Sequence, residues 1–142
     1  MLTPIYASLL ALMLIGLSIT VIKGRRKYGA SLGDAGNIEL NRRIRAQANL
    51  AEYAPIFIIL LGYSEYQGLP HWGINLLGII FVTGRILHSY SLLKAEQYKN
   101  HKLQQNPIWR ITGMLCTFST ITALAIINLT QIVLHYPRIS YL

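Results

Sequence analysis

Cysteine is almost absent from this chain. The one present, Cys116, stands in the middle of an apolar run, which excludes an intrachain disulfide, leaves a zinc site without its ligands, and reads as a small packing residue. Charge is scarce as well. Only 13% of the 142 residues are charged against 53% hydrophobic, and the mean hydropathy is +0.40. That balance excludes an ordinary soluble multidomain protein and bounds the chain to a single domain, 1–142. The formal net charge of +8 would suit nucleic acid, but the basic residues cluster between long apolar runs and form no recognisable nucleic-acid-binding motif. A membrane surface accounts for them better. Internal repeats, low-complexity segments and lipidation motifs are missing too. No basic region precedes the first apolar stretch, and Lys23, Arg25, Arg26 and Lys27 follow it instead. Met1 to Ile22 therefore reads as a retained anchor rather than a secretory signal.

What is present is a succession of long apolar segments. Ile5 to Ile22 is uncharged and about the length needed to cross a hydrocarbon core of roughly 30 Å at about 1.5 Å per residue. A loop rich in glycine and polar residues follows, in which Asn37 or Asp34 can cap the next helix. The apolar run between Glu52 and Glu65 is short, so helix two must begin near Ile38, carry Arg42 to Glu52 on its opening turns, and contain Pro55, which removes a backbone donor and should kink it. A turn at SEYQGLPHWG leads to a third helix, and Pro107 suits the first turn of a fourth, whose stretch from Ile111 to Tyr136 has no Asp, Glu, Lys or Arg. The expectation is an all-α, four-helix integral membrane bundle with helices about 3–22, 38–64, 69–93 and 107–136. Lys23 to Arg45 holds seven Lys and Arg residues, Ser64 to Trp72 none and Ser91 to Asn106 three. That asymmetry predicts four spans with both basic loops in the cytoplasm and both termini outside.

This topology gathers the unusual polar residues at one end. Arg42, Arg45, Asn49, Glu52 and Tyr53 fall within an arc of about 100° of helix two at about 100° per residue. Arg85 and His88 share a face of helix three, and Arg110 opens helix four. An ionised Glu52 facing lipid would cost at least about 2.5–3.5 kcal/mol, which predicts a partner, Arg85 or Arg45. Bland readings stand beside these. Arg42, Arg43 and Arg45 can snorkel to anionic headgroups, Asn49 and Glu52 can form a structural interhelical network, and Arg85 with His88 can be a structural partner of Glu52. His71, His101 and His135 lie in turns or near an end and read as solvated or interfacial. A polar pocket with several cations and one carboxylate suits a small ligand bearing two carboxylates and one amine. Glutathione answers that description, as do other zwitterionic metabolites.

The string RRIRAQANLAEYAPIF resembles the signature of the superfamily of membrane-associated proteins in eicosanoid and glutathione metabolism, with Arg45, Asn49, Glu52 and Tyr53 at the motif positions. GRILH, Gly84 to His88, resembles the family's third-helix motif, and PIWRITGM, Pro107 to Met114, its fourth-helix opening. SLGDAG and RITGM are most similar to the small bacterial inner-membrane members. The resemblance implies a homotrimer in the bacterial inner membrane, with glutathione bound between subunits near the cytoplasmic side. Arg42, Arg45, Asn49, Glu52, Tyr53, Arg85 and His88 would bind it, and Arg110 would face its thiol. Leu92 and Ile111 depart from the eicosanoid synthases, which directs the expectation away from their substrates.

The expected activity is that of a membrane glutathione transferase or peroxidase acting in detoxification. The protein would stabilise the thiolate for attack on lipophilic electrophiles arriving through the bilayer, with glutathione as co-substrate and no metal. The alternative is a catalytically silent membrane protein that keeps the fold, with or without glutathione binding. A small proton-coupled exporter is disfavoured because helix one carries no charge.

Overall fold

The computed structural model describes residues 1–99, 102–104 and 106–139 and is an all-α bundle. Helix α1 spans Thr3–Tyr28, α2 Ile38–Tyr66, α3 His71–Tyr90 and α4 Ile108–Ile139. His101 lies outside the described residues, as does the side chain of His135, whereas His71 opens α3 on the surface.

Among the described residues, three helical segments, Thr3–Tyr28, His71–Ala95 and Ile108–Leu134, are long and apolar enough to cross a membrane. In length α2 is comparable, with 29 residues, but its charged opening turns keep it from meeting the same apolar standard. Beyond Ile22, α1 continues through the basic residues Arg25, Arg26 and Lys27, whose charge suits the partial negative end of a helix. It stops at Gly29, which takes the left-handed conformation (φ 62°) that a side chain disfavours. The side chain of Asn37 caps α2 by accepting the backbone N–H of Leu40 at 2.9 Å. Pro55 does not interrupt this helix, and its ring lies on the exposed side. Pro70 caps α3, so this helix begins at His71 rather than at Leu69. The end of α3 widens into a π-helical turn, Ser91–Ala95, and a two-residue antiparallel ladder then pairs Tyr98–Lys99 with Lys102–Leu103.

In the core, the Phe57 and Phe81 rings of α2 and α3 stack with centroids 3.8 Å apart. From α1, Tyr6 fills the notch left by Gly78, its hydroxyl donating to Asn75 Oδ1 at 2.7 Å. Glu65 near the end of α2 accepts the backbone N–H groups of Leu2 and Thr3 at the start of α1, while Arg43 at the start of α2 donates to the Thr20 carbonyl at 3.2 Å near the end of α1. These contacts orient α1 and α2 antiparallel. Asn128 of α4 ties the same end of the bundle by donating to Ser64 Oγ (2.8 Å) and the Leu60 carbonyl (3.1 Å) of α2. The opposite end therefore collects the start of α2, the end of α3 and the start of α4.

Candidate functional site

At that end, α2, α3, α4 and the loop before α2 enclose a cleft of about 700 Å³. Arg42, Arg45 and Asn49 reach it from α2, His88 from α3 and Arg110 from α4. Because α2 starts at Ile38 under its Asn37 cap, Arg42, Arg45 and Asn49 lie on successive turns of one side of the helix. Along the far wall the lining turns apolar, with Leu92, Ile111, Met114, Leu115 and Phe118. Ile111, Leu115 and Phe118 are also exposed on the outside of α4. The cleft thus joins a cationic mouth to an apolar flank of the bundle.

Among the described residues Arg85 is the largest fully buried side chain, 1% exposed, and it lies behind the cleft wall. Its guanidinium donates to Asn49 Oδ1 at 2.5 Å, to the Gly113 carbonyl at 3.3 Å and to the Met114 sulfur at 3.5 Å. It also lies over the Tyr53 and Phe81 rings, 5.5 and 5.8 Å from their centroids. A buried cation requires such partners, and this one locks α2, α3 and α4 together. Asn49 is thereby oriented from behind. Tyr53 packs edge-on against Phe118, with centroids 5.7 Å apart, so Tyr53 and Arg85 support the cleft without lining it. His88 is buried against the cleft, and among the described residues its Nδ1 has no hydrogen-bond partner. A buried imidazole nitrogen left unpaired is costly, so a polar group of a ligand would be welcome there.

Glu52 corrects the sequence-based expectation. It is exposed, does not line the cleft and, among the described residues, makes no ion pair with Arg85 or Arg45. The reason is helix phase. Asn49 already pairs with Arg85 Nη1, and Glu52 lies at the outer edge of the polar arc. It continues into an exposed stripe of Ile56, Ile59, Tyr63 and Tyr66.

The carboxylate at the rim belongs instead to Asp34, a residue read from the sequence only as a possible helix cap. Asp34 accepts the Gly36 N–H at 3.0 Å and the side-chain amide of Asn41. The Asn41 amide, and then the Gly36 N–H, hold its carboxyl below the usual carboxylate range, so it stays ionised at neutral pH. Only the folding of the loop over α2 brings it to the cleft. Glu96, likewise unmarked in the sequence, sits beneath the opening of α4 with Arg110 Nη1 at 3.3 Å.

The sequence pattern described as the MAPEG family matches residues 3–130 of this chain. The inner membrane protein YecN of Escherichia coli strain K12 is 33% identical over 129 residues, 91% of each chain. The YecN of Escherichia coli O6:H1 matches to the same extent.

Proposed function

This chain belongs to the MAPEG family, and from that premise we propose that it binds glutathione in the cleft and stabilises the thiolate for attack on lipophilic electrophiles. The observation that carries the reading is the composition of the cleft itself. Arg42, Arg45 and Arg110 converge on one space with Asn49, His88 and the Asp34 carboxylate, and that space opens onto apolar side chains of α4. Guanidinium groups suit the two carboxylates of the tripeptide, Asp34 suits its ammonium, and the apolar wall suits a substrate partitioned into the bilayer. Titrating the detergent-purified protein with glutathione, in parallel with conjugation to a chlorodinitrobenzene and reduction of a lipid hydroperoxide, tests it. Binding with turnover supports the proposal. Binding without turnover supports a catalytically silent protein, and absence of binding removes the proposal.

The proposal includes a homotrimer. Its support is Glu52, a carboxylate exposed on an otherwise apolar stripe of α2, where contact with lipid would cost at least about 2.5–3.5 kcal/mol. A second copy of the chain covering this stripe supplies a partner that the described residues do not. Glu52→Ala is expected to lower the yield of trimer in detergent several-fold, whereas Arg26→Ala on the basic surface leaves it unchanged. Sedimentation or native mass measurement of the two variants decides it, and an equal trimer yield removes Glu52 from the interface.

The proposed orientation has four spans, both termini outside the cytoplasm and the cleft facing in, in a bacterial inner membrane. It rests on the crowding of Lys and Arg from Lys23 to Arg45 at one end of the bundle and the absence of Lys and Arg from Ser64 to Trp72. Reporter fusions in the loop near Gly33 are expected to signal cytoplasm and fusions near Gly68 the opposite side. A cytoplasmic signal at Gly68 would refute it.

A further inference from the structure

The end of α3 carries a device that the cleft lining does not include. In a regular α-helix, residues five apart point about 140° away from each other. The π-helical turn Ser91–Ala95 winds more residues into its turn and brings Glu96 back over Ser91. The Glu96 N–H bonds the Ser91 carbonyl at 3.0 Å, and the Ser91 hydroxyl donates to Glu96 Oε1, also at 3.0 Å. Both residues are buried, Ser91 at 1% and Glu96 at 4% exposure. The other oxygen, Oε2, receives Arg110 Nη1 at 3.3 Å. A carboxylate so buried must be hydrogen-bonded and paired, and this one is directed at the cation that opens α4.

The place of Arg110 gives that pairing a consequence. Its side chain is 35% exposed, and its neighbours Ile108 and Trp109 are exposed apolar groups at the opening of α4, the kind of position where arginine extends toward phosphate headgroups. Arg110 instead lines the cleft. We infer that Glu96 is a positioning residue: seated by Ser91 on the widened turn, its carboxylate holds the Arg110 guanidinium at the cleft and away from the headgroups. The inference rests on the proposed glutathione reading for its chemical consequence, but the clamp itself is a property of the chain alone.

Glu96→Gln keeps the shape and an oxygen acceptor but loses the charge-assisted pair. It is expected to lower the thiolate absorbance of bound glutathione and kcat together by about fivefold to tenfold. KM for glutathione should stay within about twofold, because the binding groups are untouched. Ser91→Ala, a milder change, should move both in the same direction by less. In an Arg110→Ala background, Glu96→Gln should add no further loss, since it acts through the missing group. A Glu96→Gln protein with parental thiolate and kcat, one with raised thiolate, or one whose loss adds to that of Arg110→Ala would each overturn the inference. A purely structural staple would lower thermal stability without the split between kcat and KM. One arm needs no glutathione. The ¹⁵N guanidino resonances of Arg110, assigned by their loss in Arg110→Lys, should show hindered rotation in the parent and averaging in Glu96→Gln. If the parent forms no thiolate while this contrast holds, the proposed function fails and the clamp stands; free rotation in the parent removes the clamp.

Discussion

Arg110→Ala is expected to lose most of its turnover and thiolate absorbance while keeping glutathione affinity within roughly tenfold, about 1.4 kcal/mol. A thiol with an ordinary pKa near 8.5 is mostly protonated at neutral pH, and a cation beside it in a cleft of low dielectric favours the charged form. Arg110 lines the cleft from the first turn of α4, and a guanidinium keeps its charge at any workable pH. Removing a preorganised group that stabilises reacting charge commonly costs about a hundredfold or more in rate. Without the guanidinium the bound thiol returns toward its ordinary pKa. The thiolate fraction then falls at neutral pH and recovers as the pH is raised through that value, so alkaline buffer should partly rescue the variant. Arg45→Ala should do the reverse, weakening binding with a smaller effect at saturating glutathione. Stopped-flow absorbance and steady-state kinetics of the two variants separate the roles. Unchanged thiolate and turnover in Arg110→Ala would leave Arg110 as an interfacial anchor of α4.

The second large effect lies at the crossing of α3 and α4. A Cβ built on Gly113 would sit 2.6 Å from the Gly84 carbonyl oxygen, 2.8 Å from the His88 nitrogen and 2.9 Å from its Cβ. On the facing helix, a Cβ on Gly84 would meet Cys116 Cβ at 2.7 Å and the Gly113 carbonyl at 3.0 Å. Backbone meets backbone here, as small residues permit in membrane bundles, and no flexible side chain can yield. Gly113→Val must push the helices apart. It then also draws the Gly113 carbonyl away from Arg85, which loses one of its acceptors. Overpacking costs about 1–3 kcal/mol and an under-satisfied buried cation a similar amount. A loss of about 3–5 kcal/mol is therefore expected, read as a large drop in melting temperature or folded yield in detergent. Gly16→Ala is the control, because nothing lies within 4 Å of the added carbon. Parental stability in Gly113→Val would mean that the two backbones do not touch at this point.

Much of the arrangement was legible in the chain itself. Long apolar runs broken by basic, glycine-rich or proline-containing stretches prescribe helices of membrane length, because backbone polar groups in a bilayer must be satisfied within the segment. The positions of Arg42, Arg45, Asn49, Arg85, His88 and Arg110 near helix ends foretell one polar end of the bundle.

Tertiary packing alone decided the rest. Helical phase places residues relative to one another but does not say which edge of an arc faces inward. Glu52 and Arg45 lie at one edge of the arc on α2, Arg42 and Tyr53 at the other, with Asn49 between them, and only the seating of α3 and α4 buries Asn49 and leaves Glu52 outside. Partner choice follows the same logic. The carboxylate expected to satisfy Arg85 is displaced by the neutral amide of Asn49 and the carbonyl of Gly113, which lie within reach once the helices cross at two glycines. Asp34 reaches the cleft through a loop whose path no periodicity describes, and Glu96 reaches Arg110 through a π-helical turn that alters the phase of the chain after Ser91. The sequence by itself determined the helices, their polar end and the family; the packing determined which charges face the cleft, because burial, unlike periodicity, depends on what the neighbouring helix presents.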